Sequence, residues 1–508
     1  MLRTNSPAGA LCGLGLILLC TLPAQTPPPG VDTIYSGAGG DRFGFRIASG
    51  DLNHDGIDDL VVGAPHETGG NRVYVYFGPI ELPMHEVPHN GADVVIQGPL
   101  NSETGWSITT GNVVAGAEDD LILGAPSQVA GKGAVHVFAG PIAPGTYSTA
   151  MATLTVEGHR GLGHAGWAVA AGDFDGDGID ELCIGAATVG LPEVGECYVM
   201  DVENAAGPVI STTEATSTLL GVGVTGSAMC NGGDFNGDGF EDLIVGSYGN
   251  FWVSGHGWGG TAHIVYGRAA FDAVLDLANA VGSGVANLNG EFEGHNVGYD
   301  LAPAGDVNHD GYDDLLIGAP TFLVSSEPGG VDDTGYAYLV LGSRDIGRPQ
   351  LLGDYPIGWI ADLIFAGTTI GERVGLSVAG AGYCGPTWSR VKSNGGGTPG
   401  RGDVLLIGTG IDTVHSHAYW IDRETQQSSV GQPVPLKRRR LLVELGNGAN
   451  RIGSFTITGP AGSALGRWVH GPADLDGDGL SDLLLGAPYQ LDYSDPAGDG
   501  RVHVHRGQ

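Results

Sequence analysis

One short pattern recurs seven times along the chain, and this periodicity constrains the fold more than any other feature of the sequence. Each copy has an acidic residue, then an apolar run, then glycine, and the acidic residues are Asp59, Asp120, Glu181, Asp242, Asp314, Asp403 and Asp482. The first three intervals between these acids are equal, and the last three are longer. A constant interval that insertions later lengthen indicates seven repeat units, each packing its apolar face against its neighbours.

Each unit contains four segments with the pattern of β-strands. In the first unit they are FGFRIASGD (43–51), DLVVGAP (59–65), NRVYVYFG (71–78) and DVVIQG (93–98). Apolar runs and period-two alternation, bounded by glycine, are typical of strands. Four antiparallel strands repeated seven times predict an all-β chain, a seven-bladed β-propeller of four-stranded blades over residues 31–508.

The two ends of the chain carry the parts of one incomplete unit. RVHVHRGQ (501–508) has the pattern of a third strand with no fourth strand after it. VDTIYSG (31–37) has the pattern of a fourth strand with no first three before it. We expect the N-terminal strand to complete the last blade and close the ring, because an open solenoid would leave exposed sheet edges.

The first residues predict export from the cytoplasm. Residues 1–24 contain one arginine, an apolar stretch and an Ala24-Gln25 junction, which is the pattern of a cleaved secretory signal peptide. A short membrane anchor is the alternative, but the apolar run is below the roughly 20 residues that a span requires. Residues 25–30 form a short Pro-rich linker. We therefore expect a protein that is secreted, extracellular, periplasmic or on the cell surface, with no membrane span.

Charge and cysteine content restrict the partners and the chemistry. The chain has 57 acidic and 22 basic residues, a net charge of −35, which argues against nucleic acid or an anionic membrane as partner. Cys183 and Cys197 are expected on adjacent strands of one hairpin, where they either form a disulfide or act as small buried hydrophobes. No Cys-x-x-Cys pattern supports a zinc or thioredoxin-like site.

An oxygen-rich turn precedes the buried second strand in five units. In the first, Asp51, Asn53, Asp55 and Asp59 occupy positions one, three, five and nine, and Gly56 occupies position six. Oxygen side chains on alternate residues of a tight loop converge on one point, and many hard oxygen ligands suit Ca²⁺ better than Mg²⁺, zinc or copper. Solvated turns without metal are the alternative.

An EF-hand is excluded by position twelve of the same loops. That motif needs a bidentate glutamate there and flanking helices. All five residues at this position are apolar and belong to the predicted strand: Val62, Ile184, Val245, Ile317 and Leu485.

The motifs together resemble a known repeat. Phe43-Gly44, the acidic loop and Gly63-Ala64-Pro65 are similar to the FG-GAP repeat, which forms the seven-bladed propeller of integrin α-subunit heads and occurs in a glycosylphosphatidylinositol-cleaving phospholipase. The resemblance implies about five Ca²⁺ sites, in units 1, 3, 4, 5 and 7. The implied ligands are Asp51, Asn53, Asp55, Asp59, Asp173, Asp175, Asp177, Glu181, Asp234, Asn236, Asp238, Asp242, Asp306, Asn308, Asp310, Asp314, Asp474, Asp476, Asp478 and Asp482.

Two units depart from the pattern. The second has Asn112, Val114 and Gly116 at positions one, three and five, and the sixth replaces the loop by a Gly-rich, basic insertion within 382–408, so we expect metal in neither. The integrin stalk domains and transmembrane helix have no counterpart in this sequence, so the resemblance is to the propeller and does not imply integrin signalling.

A ligand-binding surface is expected opposite the acidic loops. Aromatic residues on loops suit sugar faces or protein hot spots, although they also pack between blades. The candidates are Tyr248, Phe251, Trp252, His256, Trp258, Tyr489 and Tyr493. Arg-Gly-Asp at 401–403 is interpreted as part of the repeat, because Asp403 is the repeat's own acid, and KRRR (437–440) as a solvated basic strand edge.

No catalytic motif is present in the sequence. It lacks Gly-x-Ser-x-Gly, His-Glu-x-x-His and a P-loop, and the acidic spacing assigns most carboxylates to Ca²⁺. Two hypotheses therefore stand. The favoured one is a non-enzymatic, Ca²⁺-stabilised adhesion or recognition module for an extracellular protein or glycan. The other is a secreted carbohydrate-active enzyme, a lyase or hydrolase, or a phospholipase-associated propeller, with a site in the central funnel.

Overall fold

The structure is a computed structural model. It describes residues 33–39, 42–67, 70–80, 86–114, 116, 118–187, 195–249, 259–321, 334–343, 353–367, 371–382, 404–409, 415–420, 441–444, 454–458, 466–488 and 499–506. In these residues the strands form seven sheets, six with five strands and one with four.

The sheets are numbered in chain order, and the strands of each sheet are named from the first, innermost strand to the outer edge. Sheet 1 contains Arg46–Gly50, Asp59–Ala64, Arg72–Tyr76, Val94–Gln97 and Gly145–Ser148. Sheet 2 contains Ser107–Gly111, Asp120–Ala125, Ala134–Phe138, Leu154–Glu157 and Val209–Ser211. Sheet 3 contains Ala165–Gly172, Glu181–Ala186, Glu196–Met200, Ser217–Leu220 and Val274–Asp276. Sheet 4 contains Ala228–Asn231, Leu243–Ser247, Thr261–Val265, Val285–Asn289 and Gly353–Pro356.

The remaining sheets have the same order of strands. Sheet 5 contains Leu301–Gly305, Asp314–Ala319, Tyr336–Val340, Leu363–Ala366 and Leu441–Glu444. Sheet 6 contains Ser377–Gly382, Val404–Gly408, His415–Trp420 and Ser454–Thr458. Sheet 7 contains Trp468–His470, Leu483–Ala487, Asp499–His505, Thr33–Gly39 and Glu86–Pro88. Short helical turns lie at His89–Gly91, Gln128–Gly131, Thr149–Met151, Thr212–Glu214, Ala280–Ser283 and Ile357–Ile360.

The prediction of seven four-stranded blades is wrong in its strand number. In six sheets a fifth strand pairs in parallel with the fourth, as Gly145–Ser148 does with Val94–Gln97. The fifth strand belongs to the next unit, where it lies between that unit's third and fourth strands, so it covers the outer edge of its neighbour. Sheet 6 has no such strand in the described residues. Segments of three or four residues carry too little periodicity for sequence reasoning to find.

The predicted pairing between the two ends of the chain is confirmed. Thr33–Gly39 is antiparallel to Asp499–His505, with Thr33 opposite Val504 and Ser36 opposite Arg501. The first strands of successive sheets contact one another, and the first strand of sheet 7, Trp468–His470, contacts Arg46–Gly50 of sheet 1. The chain is therefore an all-β propeller, with its first strands innermost.

The hydrophobic core lies between the sheets rather than within each one. One cluster joins sheets 1 and 7 through Leu60, Tyr74, Leu484 and Val504, and similar clusters join each pair of consecutive sheets from 1 to 6. Glycine is required where two sheets approach most closely. A Cβ on Gly246 would lie 2.2 Å from the carbonyl oxygen of Gly298 in the next sheet, so any larger residue forces the sheets apart.

Candidate metal-binding loops and channel mouth

The acidic loops are tight turns built by side chain-to-backbone hydrogen bonds. In the first unit, Asp51 accepts the backbone N–H groups of Asp55 (Oδ1, 3.0 Å) and Gly56 (Oδ2, 2.8 Å). Asp55 Oδ1 accepts the N–H of Ile57 at 3.0 Å. Gly56 has φ of 87°, a left-handed conformation that glycine adopts without strain. The loops that begin at Asp234, Asp306 and Asp474 repeat this scheme. The loop that begins at Asp173 differs in one bond, since Asp173 Oδ1 accepts the N–H of Gly176, one residue earlier than in the other loops.

The residue at position three divides the five loops into two kinds. In units 1, 4 and 5 it is asparagine, and Asn53 donates from Nδ2 to Asp55 Oδ2 at 3.0 Å, with equivalent bonds from Asn236 and Asn308. In units 3 and 7 it is aspartate. There the carboxylates at positions one, three and five each offer an oxygen within 4.8 Å of the others, and the two groups are Asp173, Asp175, Asp177 and Asp474, Asp476, Asp478. Three carboxylates so close repel one another unless a cation lies between them.

An arginine already neutralises part of the seventh loop. The Arg506 guanidinium forms ion pairs with Asp476 and Asp478, the second at 3.3 Å. Arg506 directly follows the third strand of sheet 7. Within the described part of the chain, no ion pair of this kind joins a basic side chain to the third loop, so the two three-carboxylate loops differ in charge.

The acid at position nine lies below the loop, at the start of the second strand. Asp59 is fully buried, and its two oxygens accept the N–H groups of Leu52 and Gly78, each at 2.9 Å. It thereby joins the loop to the end of the third strand. Asp120 makes the same contacts in unit 2, with Val113, Val114 and Gly140, although that unit has no acidic loop. The position-nine acid therefore has a structural role that does not depend on the rest of the loop.

Burial at position nine raises the pKa of these carboxyls. It raises the pKa of Asp59 to about 7 and that of Glu181, Asp242 and Asp314 to about 8. Asp242 Oδ1 accepts the N–H of Gly267 at 2.9 Å, and a hydrogen bond from the backbone N–H of Phe235 favours the ionised form of the same carboxyl. The hard oxygen donors that the loops bring together fit a Ca²⁺ ion.

A second acid, at position eight, joins neighbouring units, and sequence reasoning missed it. Asp58 Oδ2 accepts the N–H of Asp474 at 2.9 Å, across the junction of units 1 and 7. Equivalent bonds connect Asp119 to Asp51, Asp180 to Asn112, Glu241 to Asp173 and Asp313 to Asp234. Five of the seven repeats have an acid at position eight in the sequence, and this recurrence could have revealed its role between units. The charge before the buried strand thus serves three roles: shaping the loop, anchoring it to the third strand, and joining neighbouring units.

The first strands enclose a central channel, and we call its end opposite the acidic loops the mouth. A cavity of about 370 Å³ is lined by residues of these strands, among them Arg46, Asp300, Trp468 and His470. Aromatic rings lie in a row at this end of the first strands; Phe45, Trp106 and Trp167 are half-buried and Trp468 is buried. Successive ring centroids from Trp167 to Trp106, from Trp106 to Phe45 and from Phe45 to Trp468 are 4.9, 4.9 and 5.6 Å apart. We call these four residues with Tyr248 and Tyr299 the aromatic rim.

Sequence reasoning missed most of this rim. Phe45, Trp106 and Trp167 are separated by the same interval as the position-nine acids of the first three units, and each directly follows a glycine. The periodicity of the sequence could therefore have revealed these aromatic residues. Among the predicted ligand-binding residues, Tyr248 lies in the rim, with its ring centroid 4.9 Å from that of Tyr299.

Several predictions fall outside the described residues and stay predictions. They concern the signal peptide and linker, the Arg-Gly-Asp and KRRR segments, the loop of unit 6, and the aromatic candidates Phe251, Trp252, His256, Trp258, Tyr489 and Tyr493. Cys183 and Cys197 are described; both are buried free thiols, with Cys183 opposite Val199 and Cys197 opposite Gly185. The structure therefore has small buried hydrophobes at these positions and no disulfide between them.

Five segments of the chain match a known repeat family. The FG-GAP repeat matches residues 43–76, 165–200, 225–265, 297–340 and 468–505. These five segments of the chain are similar to the FG-GAP repeat. The matched segments contain the five acidic loops, and the two units predicted to lack metal are the two that the FG-GAP repeat does not match.

Curated relatives with similar sequences fall into two classes of protein. The chain is 27% identical to integrin alpha-5 of Xenopus laevis over 229 residues, 41% of this chain and 20% of the relative. It is 25% identical to the phosphatidylinositol-glycan-specific phospholipase D of Bos taurus over 483 residues, 92% of this chain and 46% of the relative. It is 31% identical to the human protein of that name over 161 residues, 28% of this chain and 18% of the relative. The chain thus spans less than half the length of these relatives, and together with the fold they support an integrin-like β-propeller.

Among the residues that the structure describes, no helix has the length and apolar character needed to cross a membrane.

Proposed function

We propose that this chain is a secreted, calcium-binding FG-GAP propeller that acts as an adhesion or recognition module for an extracellular protein or glycan. The observation that carries the proposal is the fivefold repetition of one oxygen-rich loop, all at the same end of the first strands. The loops leave the opposite end, with its cavity and aromatic rim, available for a ligand.

The propeller has seven blades in this proposal, including the four-stranded sheet. Support comes from the contacts between first strands, which run from sheet 1 to sheet 7 and back to sheet 1. The glycines give a second line of support, since a glycine of each second strand closely approaches a glycine of the next sheet, and Gly486 of sheet 7 approaches Gly44 beside sheet 1.

Calcium would bind in loops 1, 3, 4, 5 and 7 and would supply positive charge that holds their oxygen atoms together. The side chains at positions one, three and five would provide ligands, and the acid at position nine would provide a further one. The ion would stabilise the ring rather than take part in a reaction, because a cation bound only by the folded state adds to its stability.

The proposal is tested by screening the calcium-loaded protein on a glycan array and against extracellular proteins, with a reducing-end assay on polysaccharide mixtures in parallel. Binding without turnover is the expected result. Turnover of a polysaccharide would replace the proposal by the enzymatic alternative, and the absence of any ligand in both screens would contradict a recognition role.

A second candidate, an enzyme with its site in the channel, is favoured by one contact. Ser49 Oγ and His470 Nε2 lie 3.0 Å apart within the ring of first strands, the distance expected of a nucleophile and its base. Burial lowers the pKa of His470 to about 4, which keeps it neutral. However, no hydrogen bond joins its other ring nitrogen to a carboxylate of the described residues. Such a base lacks the third group that orients it in hydrolytic triads, so we favour binding.

A further inference from the structure

The mouth of the central channel carries two arginines that form no ion pair with a carboxylate of the described chain. Arg46 begins the first strand of sheet 1, and Arg467 directly precedes that of sheet 7. Both guanidinium groups lie over the ring of Trp468, at 3.7 and 5.1 Å from its centroid. In a chain of net charge −35, two arginines that form no ion pair with the described residues are unexpected unless something else provides the acceptors.

Hydrogen-bond donors at this mouth are in excess. Arg46 donates from Nε to the carbonyl oxygen of Trp106 at 3.2 Å, and no hydrogen bond connects its terminal nitrogens to the described residues. Arg467 Nε is buried without a partner in the described part of the chain, and so is the indole Nε1 of Trp468, a side chain that is only 8% exposed. Buried donors without acceptors cost free energy, which an oxygen-rich ligand would recover.

The one buried carboxylate that lines the described cavity does not remove this excess. Asp300 Oδ2 accepts the N–H of Val378 at 2.9 Å. Its charge attracts the Arg46 guanidinium and opposes the lowering of the Arg46 pKa by burial, but no ion pair joins Asp300 to either arginine among the described residues. Burial also raises the pKa of Asp300, and the charge of Arg46 opposes that rise.

The aromatic rim adds the second half of the recognition chemistry. The ring centroid of Phe45 lies 4.9 Å from that of Trp106 and 5.6 Å from that of Trp468, the ring beneath both arginines, and Trp167 extends the row. Half-buried rings offer flat apolar faces for stacking. His66, beside Phe45 and Trp106, has a buried Nε2 without a partner in the described residues, which can donate to or accept from a hydroxyl group.

We propose that Arg46, Arg467 and Trp468, with the aromatic rim, form a binding site for an acidic saccharide, whose uronate carboxylate pairs with the guanidinium groups while the face of its sugar ring stacks on the rim. An acidic peptide side chain would satisfy the arginines but has no ring to cover the aromatic faces. Guanidinium groups pair with carboxylates through two parallel hydrogen bonds, which fixes the orientation of the ligand. The inference rests on the proposed recognition function and assigns its ligand.

The test is a titration of the calcium-loaded full chain with a hexuronate trisaccharide, its carboxyl-reduced neutral counterpart and a tri-glutamate peptide, followed by tryptophan fluorescence and calorimetry. We expect the uronate to bind at least about tenfold more tightly than either control, as loss of a charge-assisted bond implies. Arg46→Gln and Arg467→Gln should each weaken uronate binding by a similar factor. Arg160→Gln, which removes a guanidinium that is paired with Glu196 and does not line the cavity, should leave it unchanged.

The comparison of the three ligands on the unaltered chain does not depend on any variant's folding. Equal binding of the uronate and the neutral sugar, preference for the peptide, or no binding of the uronate would overturn the inference. If the chain binds other glycans or proteins in the wider screen, only the inference fails; if it binds nothing there either, the proposed function fails as well.

Discussion

The carboxylate of Asp58 accepts a hydrogen bond from the backbone N–H of Asp474 at 2.9 Å, although 416 residues separate the two. Unit 1 is thereby joined to unit 7 at the end of the ring that carries the acidic loops. Four more position-eight acids make the same kind of bond to a preceding unit. The junction that joins the two ends of the chain is thus built in the same way as the junctions between consecutive units.

Removing this connection should destabilise the fold. Asp58→Ala deletes an acceptor and leaves the N–H of Asp474 without its partner, which costs about 1–2 kcal/mol of unfolding free energy. Chemical denaturation measures the loss. Glu293→Gln is the control, because Glu293 is exposed and makes no hydrogen bond within the described structure. Equal stability of the two variants would mean that the Asp58 bond contributes nothing.

Close packing between sheets predicts a sharp contrast between two glycines. Gly246→Ala places a Cβ 2.2 Å from the carbonyl oxygen of Gly298, so the sheets must separate, at a cost of roughly 1–3 kcal/mol or more. Gly207→Ala is the matched control, since a Cβ there has no atom within 4 Å. Thermal unfolding of both variants checks the prediction. A Gly246→Ala protein as stable as Gly207→Ala would contradict the proposed close approach.

The seventh loop should respond to calcium differently from the third, because Arg506 competes for its carboxylates. Arg506→Gln removes the competitor, so we expect the metal-free protein to lose stability and one site to bind Ca²⁺ about 2–5-fold more tightly, in line with a modest surface ion pair. Calorimetric titration measures the affinity. Arg160→Gln breaks an ion pair between Arg160 and Glu196, whose charged atoms lie 2.8 Å apart. This pair is not in an acidic loop, so the variant should leave calcium binding unaltered. An unchanged titration of Arg506→Gln would show that the guanidinium does not compete.

The buried position-nine acids give the metal-free protein a pH dependence of definite sign. Burial raises the pKa of Asp59 to about 7 and of Asp242 and Asp314 to about 8, whereas in the unfolded chain these groups titrate near 4. The folded state therefore holds more protons, and stability falls as pH rises through 7 to 8. Denaturation in chelator between pH 6.5 and 8.5 should show this fall, and Asp242→Asn should reduce it. A metal-free stability that rises over this range would contradict the assignment.

Much of the fold followed from the sequence because the repeat is long and regular. The constant interval of the first units and the strand-like ends of the chain predicted the propeller and the pairing of Thr33–Gly39 with the C-terminal strand. The fifth strands were missed because three or four residues carry too little periodicity. The sequence also located the acidic loops but could not separate their acids by role. Asp58, Asp55 and Asp59 look alike in sequence, and only their hydrogen bonds assign them to the junction with unit 7, the loop and the third strand.

The central claim is that five acidic loops bind Ca²⁺ and thereby stabilise the ring. At free Ca²⁺ ten times the dissociation constant, each occupied site adds about 1.4 kcal/mol to the unfolding free energy. The most direct measurement is thermal unfolding of the full chain after chelation, and again after adding back Ca²⁺ or Mg²⁺. We predict a melting temperature that falls by several degrees on chelation and recovers with Ca²⁺ much more than with Mg²⁺. A melting temperature that chelation leaves unchanged, or that Mg²⁺ restores equally well, would contradict the account.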